Sequence, residues 1–467
     1  MGQKYFMPPL LVILAPHSES MERTRELAET GVGRLLVKYF VPSFVGVLVN
    51  TLYNIVDRIF IGQAVGAEAL SGISVIFPIM LIMAGFGMLI GIGGSVLVSI
   101  RLGQKNLKEA NKVLGTAFVM MLVASAIITI VGFLVKEPLL RSFGATAETY
   151  WHANDYLDII LWGAAFQLVG FSLNNLIRSE GNANVAMVSM LISAGTNIVL
   201  DAIFILVLDM GVKGAAYATV ISMFVLSLWV VSHFFSRRSI LKMYKENMKL
   251  NFGIALQIAA VGLSPFCMQA AGSFVQGVIN TKLISYGGDL AVGAMGIIIS
   301  VTNLIMMSIV AINMASQPII GFNYGAKNKA RVKTTLRYSL IAATCISVFF
   351  FALFEAITGA LVNMFNKDSE QLYDMSVKGL SISLLAWPIV GFQIIAGNFF
   401  QAINKASISI FITLMRQVLI LLPLIYFLSA SYGLDGIWAA FPLSDVIAAL
   451  MVSFFLIREW RKLDRLC

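Results

Sequence analysis

Asp57 and Asp201 lie in stretches that otherwise read as membrane-spanning helix, where an unpaired carboxylate costs about 2.5–3.5 kcal/mol on insertion scales. Residues that carry such a cost are as a rule functional. Asn50, Tyr53, Asn54 and Asp57 fall at i, i+3, i+4 and i+7 and share one helix face, and Asn197 and Asp201 are i, i+4 neighbours. Asn174, Asn175 and Thr219 add further polarity within apolar spans. Carboxylate, amide and hydroxyl oxygens suit a hard cation such as Na⁺, and a carboxylate can equally hold a proton. The competing reading is that these groups only hydrogen-bond one another to tie the bundle, with Asp57 paired to Arg58. The two aspartates together favour a coupling-ion site.

Membrane-spanning elements must position these groups. Of 467 residues 58% are hydrophobic and 12% charged, with mean hydropathy +0.86, against about a quarter charged in soluble domains. Apolar windows near 36–61, 71–100, 113–135, 154–177, 184–208, 213–235, 254–284, 291–320, 335–363, 373–401, 407–430 and 435–457 can each cross about 30 Å of hydrocarbon. The fold class expected is therefore an all-α polytopic membrane protein with twelve transmembrane helices. The +9 formal charge lies in short loops, so it is no nucleic-acid footprint. With both termini cytoplasmic, 25 basic residues fall inside and six (Lys136, Arg141, Lys213, Lys282, Lys367, Lys378) outside, as the positive-inside rule requires. Residues 6–15 are apolar but too short to span. Met21 opens a charged run that reads as a cytoplasmic start, leaving residues 1–20 as an upstream start or a non-native addition.

The chain repeats itself. Leu102-Gly103-Gln104-Lys105-Asn106 reappears 222 positions on as Tyr324-Gly325-Ala326-Lys327-Asn328. The same shift carries Gly66 onto Gly288 and Gly211-Val212-Lys213-Gly214 onto Gly433-Leu434-Asp435-Gly436, and a shift of 223 carries 178–183 onto 401–406. Six spans per repeat preserve orientation, so two six-helix bundles should be related by a pseudo-two-fold axis along the membrane normal. The expected organisation is a cytoplasmic segment 1–33, an N-lobe 34–235, a cytoplasmic linker 236–251, a C-lobe 252–458 and a tail 459–467.

Several chemistries are excluded. No Gly-Lys dipeptide occurs, hence no phosphate loop and no intrinsic ATPase. Cys267, Cys345 and Cys467, and His17, His152 and His233, have no metal-ligand or disulfide spacing. No catalytic Ser-Lys, His-Glu-x-x-His or paired-aspartate motif faces water, so no enzyme is expected. Gly85, Gly87, Gly91, Gly93 and Gly94 lie inside an apolar span, where small residues admit close helix packing. In the second half Ile279 and Leu424 stand near the positions of Asp57 and Asp201, and among its deep polar groups the only acids are Glu355 and Asp445. Coupling is thus expected in the first lobe alone.

Pro42, the run 52–62 (Leu-Tyr-Asn-Ile-Val-Asp-Arg-Ile-Phe-Ile-Gly), Arg178-Ser179-Glu180-Gly181, Asn197-Ile198-Val199-Leu200-Asp201 and the duplicated Leu102-Gly103 and Tyr324-Gly325 loops resemble the MATE (multidrug and toxic compound extrusion) exporters, from about residue 30 onward. The acid pattern resembles the DinF-like branch more than the NorM-like branch, whose C-lobe acids have no counterpart here. The resemblance implies a V-shaped antiporter in the plasma membrane that expels amphipathic, organic-cation drugs or metabolites in exchange for H⁺ or Na⁺. It further implies that Asp57, Asn197, Asp201 and Thr219 surround the cation, that Asn50, Tyr53 and Asn174 line the substrate cavity, and that the first helix bends at Pro42. No cofactor beyond the coupling ion is expected; the partners are a small-molecule substrate and membrane lipid, the chain acting as a monomer. A flippase for lipid-linked oligosaccharides is the alternative, but it favours a cationic cavity, whereas the deep N-lobe charges are acidic.

Overall fold

The computed structural model describes Glu22, residues 24–365 and residues 369–464. The apolar leader, His17, Arg23, Lys367, Arg465 and Cys467 of the sequence reading lie outside these residues. The first half comprises α1 (Val32–Ala64), α2 (Ala67–Gly103), α3 (Leu107–Ser142), α4 (Thr149–Trp162), α5 (Ala164–Ser179), α6 (Ala183–Asp201) with a π-helical continuation Ala202–Val207, and α7 (Gly211–Phe235). The second comprises α8 (Phe252–Gly325), α9 (Lys329–Ala356), α10 (Thr358–Phe365), α11 (Glu370–Leu384), α12 (Trp387–Ala402), α13 (Ala406–Leu414), a π-helical stretch Met415–Leu421, and α14 (Leu422–Asp464). No strand occurs among the described residues.

These helices make twelve spans. The 74 residues of α8 would run to about 110 Å if straight, several times the thickness of the hydrocarbon. The chain instead turns back at Gly288 (φ 61°, ψ −159°), and α14 does so at Gly433 (φ 59°, ψ −130°). The windows 154–177 and 373–401 read as single helices; the structure breaks both. α4 and α5 meet at 58° and α11 and α12 at 51°, so the fourth and tenth spans are bent at equivalent places. α1 is helical throughout 32–64 with Pro42 buried inside it, where the missing N–H leaves one backbone carbonyl without its helical partner.

The repeat in the sequence is a repeat of turn geometry. Gly66 and Gly211 adopt positive φ as do their counterparts Gly288 and Gly433, a region open to glycine at little cost. Lys105 and Lys327 (φ 58° and 59°) close matching turns. The Asn106 and Asn328 side chains then accept the Glu109 and Arg331 amides, each at 3.1 Å, and cap α3 and α9. At the opposite end Lys213 of α7 pairs with Asp155 of α4 at 3.3 Å, and Asp435 of α14 pairs with Lys378 of α11 at 2.6 Å. The position is shared and the charges are exchanged.

The lobes meet at the end that carries the basic loops. A Cβ at Gly103 would fall on the Phe322 carbonyl and one at Gly325 on that of Ile100, so these two close approaches exchange equivalent positions of α2 and α8. The glycine cluster packs as expected, Gly85 beside Phe266 and Gly91 beside Ser172. One apolar cluster draws Leu97, Leu102 and Leu176 together with Ala315, Ile319 and Phe322 across the lobes. The cluster at the far end of the first lobe, containing Ile61, Ile76, Tyr156 and Ile205, includes no residue of the second. The lobes are therefore joined at one end and part toward the other.

Residues 236–251 form no separate body. The Glu180 carboxylate accepts from the Ser239 hydroxyl (2.8 Å) and the Ile240 and Leu241 amides (2.9 and 3.0 Å) with one oxygen. Its other oxygen meets Asn182 (2.8 Å) and His233. Asn111 accepts the Lys242 amide at 2.9 Å and Thr116 donates to the Lys249 carbonyl at 3.4 Å. Burial lowers the Lys242 ammonium from its ordinary range, opposed by the nearby Glu180 charge. The segment leading into the second lobe is thus clamped to the first. Residues 24–30 do the reverse: Arg331 donates to the Leu27 and Thr30 carbonyls (3.1 and 2.7 Å), and Asn323 donates to that of Leu27 (3.2 Å).

Candidate functional site

Asp201 ends α6 where the backbone passes into the π-helical stretch 202–207, a widening that re-aims side chains and often marks functional positions. The residue is 0% exposed, and neither carboxylate oxygen has a hydrogen-bond partner among the described residues. One turn back, Asn197 is 1% exposed; its amide nitrogen reaches the Thr219 hydroxyl of α7 at 3.5 Å while its side-chain carbonyl oxygen has no partner among the described residues. Asp57 of α1 lies within electrostatic range of Asp201. Tyr53, one turn before Asp57, lies in range of both acids and faces Asn50 and Asn54. The structure therefore gathers Asp57, Asn197, Asp201 and Thr219 from α1, α6 and α7, with Tyr53 at their edge.

Asn50 is exposed on the same helix, its carbonyl accepting the Asn54 amide at 2.6 Å. Asn174 stands apart. Its amide donates to the Ala186 carbonyl (2.8 Å) and the Ser189 hydroxyl (2.6 Å), which places it about two to three helical turns along α6 from Asn197. Tyr156 of α4, almost fully buried, turns its hydroxyl toward Thr219 and belongs to the group. Sequence reasoning passed over it, because a tyrosine near a span's end is ordinarily an interfacial anchor.

The packing around this group is lopsided. Most buried apolar side chains of the second lobe form one cluster running from Val275 to Leu463; Ile279 belongs to it and Leu424 packs against it. Those of the first lobe divide into two clusters, and none of Asp57, Asn197, Asp201 or Thr219 belongs to either. The first lobe thus carries a polar layer where its copy carries apolar core. Among the described residues no basic side chain forms an ion pair with the Asp201 carboxylate. Buried charges are ordinarily paired, so the chemical complement of this arrangement is a cation supplied from outside the protein.

The MatE family model matches twice, over residues 42–203 and 265–427, once in each repeat. The multidrug export protein MepA of Staphylococcus saprophyticus is 26% identical over 439 residues, spanning 94% of this chain and 96% of that protein. A MATE solved in the bent conformation superposes with a TM-score of 0.89 at 26% identity, over 95% of this chain and 98% of the other. A multidrug resistance MATE family transporter of the MOP superfamily, in its outward-facing conformation, superposes with a TM-score of 0.88 at 26% identity, over 94% and 98%. The paired match, the twelve spans in two like lobes and the near full-length likeness lead to one conclusion: this chain is a transporter of the MATE family.

Proposed function

We propose that the protein is a multidrug exporter working as an antiporter: it takes up H⁺ or Na⁺ from outside the cell and expels amphipathic organic cations by alternating access. The observation that carries this reading is Asp201, fully buried with both oxygens unpartnered and Asp57 in range. The name of the Staphylococcus relative, a multidrug export protein, supports drug export. In this reading Asp57 and Asp201 hold the ion with Asn197 and Thr219, and Tyr53 and Asn50 line the adjoining cleft. Asn174 braces α5 against α6, and Pro42 supplies the flexible point of α1. The protein sits in the plasma membrane as a monomer among lipid, with both termini and the basic end of the lobes cytoplasmic.

Ion and substrate oppose one another on this scheme. An ion drawing α1, α6 and α7 together through Asn197 and Thr219 narrows the cleft beside Tyr53 and disfavours substrate. Linkage makes the effect mutual, and a coupling of about 1–3 kcal/mol weakens substrate binding roughly 5–150-fold when the ion site is full. Calorimetric titration of a transported organic cation at low and high pH, each with and without Na⁺, measures this directly. A shift with pH alone identifies the proton as driver; identical affinity in all four conditions refutes coupling in the first lobe. In vesicles with an imposed gradient, Asp57→Asn and Asp201→Asn are expected to abolish uphill export. Glu355→Gln, at an exposed position, is expected to keep it.

A further inference from the structure

Arg178, in the last turn of α5, is 4% exposed and lies at the joined end of the lobes. Among the described residues its guanidinium reaches only two thioethers, Met190 Sδ at 3.2 Å in its own lobe and Met314 Sδ at 3.6 Å in the other, and its Nε has no partner. No carboxylate pairs with it among the described residues. Glu180, two residues on, is held by Asn182, His233 and residues 239–241. Beside the guanidinium is a cavity of about 10 Å³ lined by Ser95 and Ser99 of α2, Asn175 and Ser179 of α5, and Gln317 of α8. That is about the space of one water-sized particle.

The donor inventory narrows what it holds. Ser95 and Ser179 give their hydroxyl protons to the Ile92 and Leu176 carbonyls (2.9 and 2.6 Å), and Asn175 gives its amide to that of Phe171 (2.9 Å). Among the described residues no acceptor is set against Arg178 Nε, the Ser99 hydroxyl or the Gln317 amide, and Asn175 keeps a second amide hydrogen, so several donors remain at the cavity. A water would accept these hydrogens but leave a buried positive charge uncompensated, an expensive state. The helix C-terminus offsets only part of that charge. Phosphate and carboxylates exceed the space.

We propose that this cavity is a binding site for a small monovalent inorganic anion of the chloride class, held by Arg178, Ser99 and Gln317. Its walls come from α2 and α5 of one lobe and α8 of the other, so the site is complete only while the lobes are closed at this end. By linkage the anion stabilises that closed state and lowers the tendency of the transporter to open there.

The test uses the purified full-length protein, with sodium chloride, bromide or gluconate at matched ionic strength. Chloride and bromide, not gluconate, are expected to raise Tm saturably by several degrees. Arg178→Met should lose this halide dependence and Arg178→Lys should retain part of it. Crystals grown in bromide should show an anomalous peak beside the guanidinium, a readout that needs no variant to fold. Equal Tm in halide and gluconate, a halide shift undiminished in a folded Arg178→Met protein, or a cavity holding water without an anomalous peak each overturns the proposal.

Discussion

Tyr156, almost fully buried on α4, sets its hydroxyl toward Thr219 beside the two acids of the first lobe. Asp57, Asn197, Asp201 and Thr219 stand out in sequence because polar side chains inside apolar spans are costly, and the structure gathers them. Tyr156 costs nothing to place near a span's end, so only its approach to Thr219 reveals it. Asn174 carried the same signal as Asn197, yet its amide hydrogens go to Ala186 and Ser189; composition cannot tell a brace from a ligand. Glu180 was visible only as part of a motif, and its partners at residues 239–241 lie some sixty positions away. The expected consequence for Tyr156 is modest and specific. Tyr156→Phe keeps the ring's burial and removes one hydroxyl facing Thr219, and a hydrogen bond of this kind contributes about 0.5–1.5 kcal/mol. The ion concentration that half-displaces a bound organic cation should rise roughly 2–10-fold, with expression unchanged. An unaltered ion dependence would remove Tyr156 from the site.

At the scale of elements, apolar length marked all twelve spans, but it does not report breaks. The fourth and tenth spans pass as continuous windows because both sides of each break are apolar, and backbone direction leaves no trace in hydropathy. The π-helical stretches 202–207 and 415–421 are silent for the same reason. The turns were more legible, since Gly66, Gly211, Gly288 and Gly433 all meet a backbone demand that other residues satisfy poorly. The exchanged ion pairs, Lys213 with Asp155 and Asp435 with Lys378, argue that this position needs opposite charges and is indifferent to their order. Lys213→Asp or Asp155→Lys alone should therefore lower stability by about 0–1 kcal/mol, because the pair is solvent-exposed and screened. The double variant should recover it. Thermal melting at low salt measures the difference; a double variant no better than the sum of the singles would show that the pair makes no contribution through its charges.

The whole molecule is two copies of one bundle whose lead-in segments cross. Residues 236–251, entering the second lobe, are bound to the first through Glu180, Asn111 and Thr116, while residues 24–30, entering the first, are bound to the second through Arg331 and Asn323. The duplication was readable in the sequence; the crossing was not, since it consists of backbone carbonyls and amides that any sequence possesses. Both straps lie at the end where Gly103 and Gly325 bring α2 and α8 together, so each tends to hold the lobes closed there. Opening that end in a transport cycle must strain or release at least one of them. Arg331→Ala removes the donors to Leu27 and Thr30 and leaves the Asn323 donor to the Leu27 carbonyl and the burial of the Leu27 side chain. Hydrogen bonds to a charged group contribute about 1.5–3 kcal/mol, and water can replace part of this at a half-buried site, so a net bias of roughly 1–2 kcal/mol toward the open state is expected, about 5–30-fold in population. Spin labels at Gln104 and Lys327, both exposed, should report it as a second, longer distance that grows in the variant. Arg331→Lys, which keeps one charged donor, should lie between the two. A distance distribution identical to that of the unaltered protein would mean that residues 24–30 ride passively on the second lobe, and that closure rests on the packing of α2 against α8 alone.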